Sequence, residues 1–300
     1  MDDLQLHFVN SPKQLPAPPR TGRVVTLDLA FAAGDRYERA TRPFIEALGP
    51  RLAAWIDHHP HPAWSKYAGD PRFVLVDKAT APACPQLVTP ERIAAIGPVE
   101  HVFAHADFDG FLSAVKYVGG GSEPYPGADE DARAIDAPGQ GFTCSARGQR
   151  YADAVARSRD ASPNKHEAFL RALAGALVEG GEPPELAHKI DSLAGELRAR
   201  RSALEELLAQ AEDDYPGILV LSLPKMISPG DKKFLLQTLE ERATIGVVEE
   251  PQSVTVATFD ARIPLLRVSA LHGTDGFAWG KASYDSIRDD LIELLESRGE

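Results

Sequence analysis

The sequence has few cysteines and no long apolar run. Two of its 300 residues are cysteine, Cys84 and Cys144, and neither belongs to a Cys-x-x-Cys pair. We therefore expect free thiols rather than a zinc ribbon or a disulfide framework. No apolar stretch approaches the roughly 20 residues of a membrane-spanning helix. The start of the chain lacks the basic and apolar segments of a signal peptide, so we predict a cytoplasmic protein that does not enter a membrane.

Basic residues are outnumbered by acidic ones. Lys and Arg total 32 and Asp and Glu total 44, which gives a formal net charge of −12. Such a surface repels long nucleic acid, so a phosphate-bearing substrate has to be bound locally, by a metal cluster or a few cations. The charge therefore favours a short or small substrate. Hydrophobic residues make up 43% and charged residues 25%, an ordinary globular composition.

Short apolar runs that end in a polar residue and are followed by helical spacing recur along the first half of the chain. This repeat is typical of an open, mainly parallel α/β sheet. The predicted strands are residues 23–28, 52–57, 72–77, 101–105 and, more weakly, 132–136. The predicted helices of this half are residues 37–48, 111–118, 151–159 and 166–179.

The length favours two domains. We predict an N-terminal arm over 1–22, an α/β catalytic domain over 23–184, a connecting helix over 185–212 and a smaller α/β domain over 213–300. In the last of these we expect strands at 217–223, 253–260 and 264–270, and helices at 231–242 and 283–297.

Histidines and aspartates gather at the predicted strand ends. Asp57-His58-His59 follows one strand, and His105, Asp107 and Asp109 alternate at the end of another, before Gly110. Strand ends of a parallel sheet meet at one edge, where several acids are costly to gather unless a cation neutralises them. Each motif alone is equally explained by a loop or a turn. Together they predict a metal site, and the mixture of His and Asp favours manganese, iron, cobalt or zinc over magnesium.

These segments resemble motifs of the DHH phosphoesterase superfamily, which includes single-strand exonucleases, nanoRNases and cyclic-dinucleotide phosphodiesterases. HADFDG (105–110) resembles its first motif, Asp28 after an apolar strand its second, and WIDHH (55–59) its third. Here the first motif comes last, so the chain looks circularly permuted. A parallel sheet tolerates that order because the site depends on where strand ends lie.

The resemblance implies a DHH-type domain, a helical connector and a DHH-associated C-terminal domain. It also implies two metal ions, expected to be Mn²⁺, with Mg²⁺, Co²⁺ or Zn²⁺ as alternatives. The implied ligands are Asp28, His58, His105, Asp107, Asp109 and one further acid. Asp160, between two helices, is the first choice for that acid, and Asp136 is the second.

The resemblance also assigns roles around the metals. His59 would contact the phosphate or protonate the leaving oxygen, and Asp57 would orient a histidine. In the C-terminal domain, His272, Gly273 and Lys225 are candidates for substrate binding. Trp279 is either a surface for stacking a base or, as we expect, part of the core.

The implied activity is hydrolysis of a phosphodiester in a short oligonucleotide or a nucleotide-derived small molecule by two metal ions. Two alternatives stay open. One is a phosphomonoesterase or polyphosphate-type hydrolase that uses the same site, and the other is a non-catalytic protein that senses a nucleotide. A homodimer is also left open.

Overall fold

The computed structural model describes residues 4–137, 141–260, 262–274 and 276–297. The chain divides into two compact units, Met1–Leu197 and Arg198–Glu300. This division falls inside the helix that was expected to connect two domains. Each unit has its own β-sheet and its own apolar core.

The sheet of the first unit has five parallel strands in the order β1-β5-β2-β3-β4. The strands are β1 Gln5–Val9, β2 Val24–Leu27, β3 Leu52–Asp57, β4 Phe73–Leu75 and β5 His101–His105. Every residue of β2 and β3 is buried. Their continuous apolar runs are what a parallel strand covered on both faces requires.

The first unit also contains helices, the last of which continues into the second unit. They are α1 Arg42–Leu48, α2 Pro90–Ile96, α3 Phe108–Val118, α4 Ala128–Asp136, α5 Ala146–Ser158, α6 Pro163–Glu179 and α7 Pro184–Leu208. One turn of π-helix, Tyr37–Thr41, precedes α1. Helix α3 begins shortly after β5 and is buried over almost its whole length. It therefore fixes the end of β5 against the core.

Two expectations for this unit were wrong. Residues 5–9, assigned to the arm, form β1, which pairs in parallel with β5 at the edge of the sheet. Residues 132–136, expected to be a strand, end helix α4. The run was too short to separate the two states, and the acids Asp129, Glu130 and Asp131 in the first turn of α4 stabilise the positive end of the helix dipole.

The second unit contains a six-stranded mixed sheet in the order β10-β11-β9-β8-β7-β6. The strands are β6 Glu212–Tyr215, β7 Ile218–Ser222, β8 Ile245–Glu250, β9 Ser253–Ala257, β10 His272–Thr274 and β11 Phe277–Gly280. The helices are α8 Pro229–Glu240 and α9 Arg288–Ser297. Strands β7 and β8 are parallel, and the other neighbouring pairs are antiparallel.

The strand expected at 264–270 is absent among the described residues, where a 3₁₀ turn occupies Leu265–Arg267. Pro264 cannot donate to a strand ladder, which disfavours a strand there. Strand β8 was not predicted. In the part of the chain that the structure describes, no helix combines the length and apolarity needed to cross a bilayer.

Candidate metal centre

Three neighbouring strands of the first sheet end at the same edge. Strands β5, β2 and β3 are adjacent, and they are followed by or end in the predicted ligand residues. As a result, two motifs almost fifty positions apart in sequence converge. His58 Nε2 lies 3.1 Å from Asp109 Oδ2. This juxtaposition is what the sequence predicted. It does not depend on the order in which the motifs occur along the chain.

His58 is fully buried and points its Nε2 atom at three carboxylates. Its Nδ1 donates to the carbonyl of Ala81 at 2.9 Å, which leaves the lone pair of the neutral ring on Nε2. That atom lies 3.2 Å from Asp28, 3.1 Å from Asp109 and 3.6 Å from Asp136. A lone pair facing three acids is repulsive unless a cation lies among them.

The pKa of His58 reflects the same need for positive charge at Nε2. Burial opposes the charged ring, but the nearby carboxylates of Asp109 and Asp28 outweigh it and raise the pKa to about 11. Without a metal, a proton on Nε2 therefore offsets part of the negative charge of the cluster. A metal ion at this atom would displace that proton.

Asp28 occupies the centre of the cluster in a strained backbone conformation. Its φ is 56°, the one positive φ of a non-glycine residue in the described chain. Its side chain is 1% exposed, and neither carboxylate oxygen has a hydrogen-bond partner. Burial, followed by the charges of Asp109 and Asp107, raises its pKa. Backbone strain together with a buried, unsatisfied acid is typical of a functional position.

His105 and Asp107 form a second group at the end of β5. His105 Nδ1 lies 2.6 Å from Asp107 Oδ2 and 3.9 Å from Asp28 Oδ2. Asp107 also caps α3, because its Oδ1 accepts from the backbone N–H of Gly110 at 3.1 Å. A Cβ on Gly110 would lie 2.4 Å from the carbonyl oxygen of His105, so only glycine permits this tight turn.

Asp109 belongs to the group around His58. The backbone N–H of Cys84 donates to both of its oxygens at 3.1 and 3.2 Å. Burial raises the pKa of Asp109 to about 6, helped by the charges of Asp136 and Asp107 and opposed by His58. The loop that carries Ala81 and Cys84 thus orients two candidate ligands through its main chain. Cys84 and Cys144 are free thiols, as expected.

His59 stands at the exposed side of the cluster. Its Nδ1 lies 2.9 Å from Oδ1 of the fully buried Asp57, and its side chain is 32% exposed. The pairing holds the ring through Nδ1 and directs Nε2 away from Asp57. This geometry agrees with the predicted roles, in which Asp57 orients a histidine and His59 acts on the substrate, and those roles remain predictions.

The structure separates the two candidates for the remaining acid. Asp136 Oδ2 lies 3.6 Å from His58 Nε2, whereas Asp160 is 46% exposed and pairs with Arg157 at 2.9 Å. None of the ligand groups formed by the described residues includes Asp160. The geometry therefore favours Asp136, which ends α4, over Asp160, the first choice from the sequence, and its role as a ligand remains a prediction.

Three sets of residues could each hold a divalent cation. Within each set one ligand atom per residue lies within 4.8 Å of the others, and the sets are Asp28/His58/His59, Asp28/His105/Asp107 and His58/Asp109/Asp136. Both oxygens of Asp28, Oδ2 of Asp57 and Nε2 of His58 are buried without hydrogen-bond partners. Nitrogen and carboxylate donors gathered in this way fit a first-row divalent metal. Asp28 and His58 are each shared between two of these sets.

Two residues of the site were missed in the sequence. Lys78 Nζ lies 2.6 Å from Asp136 Oδ2, so an ammonium group touches the cluster. The Nε2 atom of the buried His166 lies 2.9 Å from the carbonyl oxygen of Ala106, the residue between the candidate ligands His105 and Asp107 in sequence. Its Nδ1 atom lies 2.7 Å from Ser158 Oγ. Lys78 directly follows a strand-end acid, which was the available signal. Nothing in the sequence marked His166.

The substrate candidates of the C-terminal region lie in the second unit. His272 and Gly273 are exposed residues of β10, and Lys225 is exposed after β7. Trp279 is 49% exposed, so the expectation that it packs in the core was wrong.

The fold of this chain, a five-stranded parallel sheet followed by a second α/β unit, is found among known proteins. Comparison of the sequence with family models and with curated proteins finds no match. Among solved structures, the chain is similar to the pGpG-specific phosphodiesterase PggH from Vibrio cholerae, with a TM-score of 0.52 and 12% identity. That alignment covers 94% of this chain and 85% of the other.

Two weaker similarities are to the exonuclease RecJ. The structure bound to manganese has a TM-score of 0.44 and 17% identity, over 91% of this chain and 74% of that one. The Mn²⁺ complex from Thermus thermophilus has a TM-score of 0.41 and 18% identity, over 91% of this chain and 44% of that one. The fold assignment rests on the similarity to PggH, and the chain has the DHH-type fold that the sequence predicted.

Proposed function

We propose that the protein is a metal-dependent phosphoesterase whose centre is built from Asp28, His58, His105, Asp107, Asp109 and Asp136. One observation carries the proposal. Buried carboxylate oxygens and the Nε2 atom of His58 converge without hydrogen-bond partners in a protein with the fold of the DHH phosphoesterases. Buried polar atoms are almost always satisfied, so a cluster of unsatisfied ones calls for a cation.

The ligand sets suggest a division of labour within the site. Two bound divalent ions would neutralise charge on a phosphate and activate water. Asp28 and His58 each belong to two of the sets, but His58 offers only Nε2, whereas both oxygens of Asp28 lack partners, so Asp28 would be the better placed to contact both ions. Asp57 holds His59 by Nδ1, which leaves its Nε2 to contact a phosphate oxygen or to protonate the leaving oxygen.

The substrate we propose is a phosphodiester in a short oligonucleotide or a nucleotide-derived small molecule. The charge of −12 disfavours long nucleic acid, and the similar PggH is described as specific for pGpG. His272, Gly273 and Lys225 stay candidates for contacts to that substrate. Mn²⁺ as the native metal, a cytoplasmic location and a homodimer stay predictions.

The test is an assay of Mn²⁺-loaded protein against pGpG, short RNA, short DNA, a cyclic dinucleotide and a phosphomonoester. Release of mononucleotides from the diesters is the expected result. Release of inorganic phosphate alone would favour the phosphomonoesterase alternative. Metal binding without turnover of any phosphoester would contradict the proposal and favour a nucleotide sensor.

A matched pair of variants tests the site itself. Asp136→Asn removes an acid 3.6 Å from His58, whereas Asp160→Asn makes the same change at an exposed residue paired with Arg157. We expect the first to lower kcat by at least about 100-fold and the second to leave it within about twofold. Equal effects of the two variants would refute the assignment of Asp136.

A further inference from the structure

A buried histidine outside the candidate ligand sets lies against the turn that carries two of the candidate ligands. His166 is 1% exposed and belongs to the first turn of α6. None of the ligand sets formed by the described residues includes it, so it is not a candidate ligand. A buried imidazole is costly unless its hydrogen bonds are made, so the partners of this ring indicate what it does.

The ring of His166 connects helix α5 to the end of β5. Its Nε2 donates to the carbonyl of Ala106 at 2.9 Å, and its Nδ1 lies 2.7 Å from the hydroxyl of Ser158. A carbonyl can only accept, so the hydrogen of the neutral ring is on Nε2, and Nδ1 accepts from Ser158. Burial lowers the pKa of His166, which favours this neutral form. The Ser158 hydroxyl also lies 2.8 Å from the carbonyl of Val155, so α5 fixes its position.

Ala106 is held at both of its main-chain groups. Its N–H donates to the carbonyl of Val9 in β1 at 3.0 Å, and its carbonyl accepts from His166. Because Ala106 lies between His105 and Asp107 in sequence, the peptide groups that adjoin these two candidate ligands are both fixed. Each peptide group is planar, so fixing its orientation also fixes the direction in which the neighbouring side chain leaves the main chain.

We propose that His166 is a positioning residue that keeps His105 and Asp107 directed at one metal position. The ligand set that these two residues form with a shared acid depends on this turn, whereas the set around His58 has its own anchors in the main chain of residues 81–84. Replacing a residue that orients a metal ligand commonly weakens metal binding by about 10- to 100-fold. The inference rests on the proposed function for the identity of the ligands, and metal binding alone can test it.

The experiment is calorimetric titration of the metal-stripped full chain with Mn²⁺, in the absence of any phosphoester. His166→Leu removes both hydrogen bonds of the ring and keeps a side chain of similar volume in the core. We expect this variant to bind Mn²⁺ about tenfold or more weakly at one site and to keep the affinity of the other site within about twofold. A general loss of packing would lower the melting temperature without a preference between the sites.

Two amide variants separate the two hydrogen bonds of the ring. The amide N–H of His166→Gln can reach the position of Nε2 and keep the bond to Ala106, whereas His166→Asn reaches only the position of Nδ1. We therefore expect His166→Gln to restore most of the Mn²⁺ affinity and His166→Asn to bind as weakly as His166→Leu. Because both amides are polar, a difference between them reports on the contact with Ala106 and not on the burial of a polar group.

Leu173→Ala is the matched control for stability. Leu173 is fully buried in the same helix, about two turns after His166, and its truncation leaves a cavity without removing a hydrogen bond. We expect a lower melting temperature and the Mn²⁺ affinities of the wild type. Thermal melting in EDTA shows whether each variant is folded. If His166→Leu does not fold, the comparison of His166→Gln with His166→Asn decides the question.

The proposal holds if His166→Leu and His166→Asn weaken one Mn²⁺ site, His166→Gln largely restores it and Leu173→Ala leaves it unchanged. It is overturned if the His166 variants bind Mn²⁺ as the wild type does, if both sites weaken equally, or if Leu173→Ala reproduces the loss. Failure of the proposed function alone looks different, because the Mn²⁺ affinities would follow the expected pattern while the wild type hydrolysed no phosphoester. A wild type that binds no Mn²⁺ would overturn both.

Discussion

Replacing Lys78 by methionine should strengthen the binding of one divalent ion. The Lys78 ammonium lies 2.6 Å from Asp136 Oδ2, in the ligand set His58/Asp109/Asp136, whereas the set Asp28/His105/Asp107 does not include this acid. A metal at the first set has to share Asp136 with Lys78 or displace it. The two sets should therefore bind metal with unequal affinity in the wild type.

The size of the effect follows from the exposure of the pair. Unit charges 4 Å apart at an effective dielectric constant of 20 interact by about 4 kcal/mol, and a divalent ion would be repelled more. Lys78 is 38% exposed, so it can move toward water, and releasing a partly exposed ion pair costs about 1 kcal/mol. We expect a net gain of about 1–2 kcal/mol, which corresponds to about 5- to 30-fold tighter binding of one ion.

The assay is calorimetric titration of metal-stripped protein with Mn²⁺. Lys66→Met is the matched control, because Lys66 also pairs with an acid, Glu38, at 3.2 Å on the surface of the same unit. The wild type and the control should show one tight and one weaker site, and Lys78→Met should show two sites of closer affinity. Unchanged affinities, or weaker binding in Lys78→Met, would refute the argument.

Two further predictions concern stability. Asp28→Asn removes a buried acid whose pKa is raised by burial, and asparagine tolerates the positive φ of this position. In EDTA at pH 8 the variant should therefore be more stable than the wild type by about 1–3 kcal/mol. It should also lose the rise in Tm that Mn²⁺ gives the wild type, and a lower melting temperature in EDTA would contradict the reasoning. Burial raises the pKa of Glu240 from 4.5 to about 7, so the folded state binds a proton more strongly and stability falls as pH rises from about 4.5 to 7. Glu240→Gln should remove this part of the pH dependence, which we expect to be about 1 kcal/mol because the side chain is partly solvated. Urea titrations at pH 5 and 8 measure it, and an unchanged difference in unfolding free energy between the two pH values would contradict the prediction.

The central strands and the candidate ligands at their ends were predictable because two simple signals coincided. The runs that form β2, β3 and β5 are apolar, and each ends in or is followed by an acid or a histidine. The same short segments therefore predict both the strands and the site. The convergence of 57–59 with 105–109 then follows from parallel topology alone. The confirmed resemblance to the DHH fold rests on these same segments.

The remaining parts depended on contacts that a linear pattern does not contain. Asp136 comes from a helix, α4, and its role depends on where that helix packs. Lys78 is defined by its distance to Asp136, and the exposure of Trp279 by the position of β11 near the sheet edge. Strand β1 was hidden because its short run precedes a segment rich in proline.

The orientation of His58 and Asp109 by main-chain groups has a consequence for how this protein tolerates sequence change. The carbonyl of Ala81 and the amide of Cys84 hold these side chains, and any residue other than proline could supply the amide. Because Ala81, Ala83 and Cys84 are buried in the core, the loop can change in composition among small side chains while its path is preserved. Insertion or deletion of a single residue between positions 81 and 84 should harm the centre more than most substitutions there, because it would shift both anchors at once.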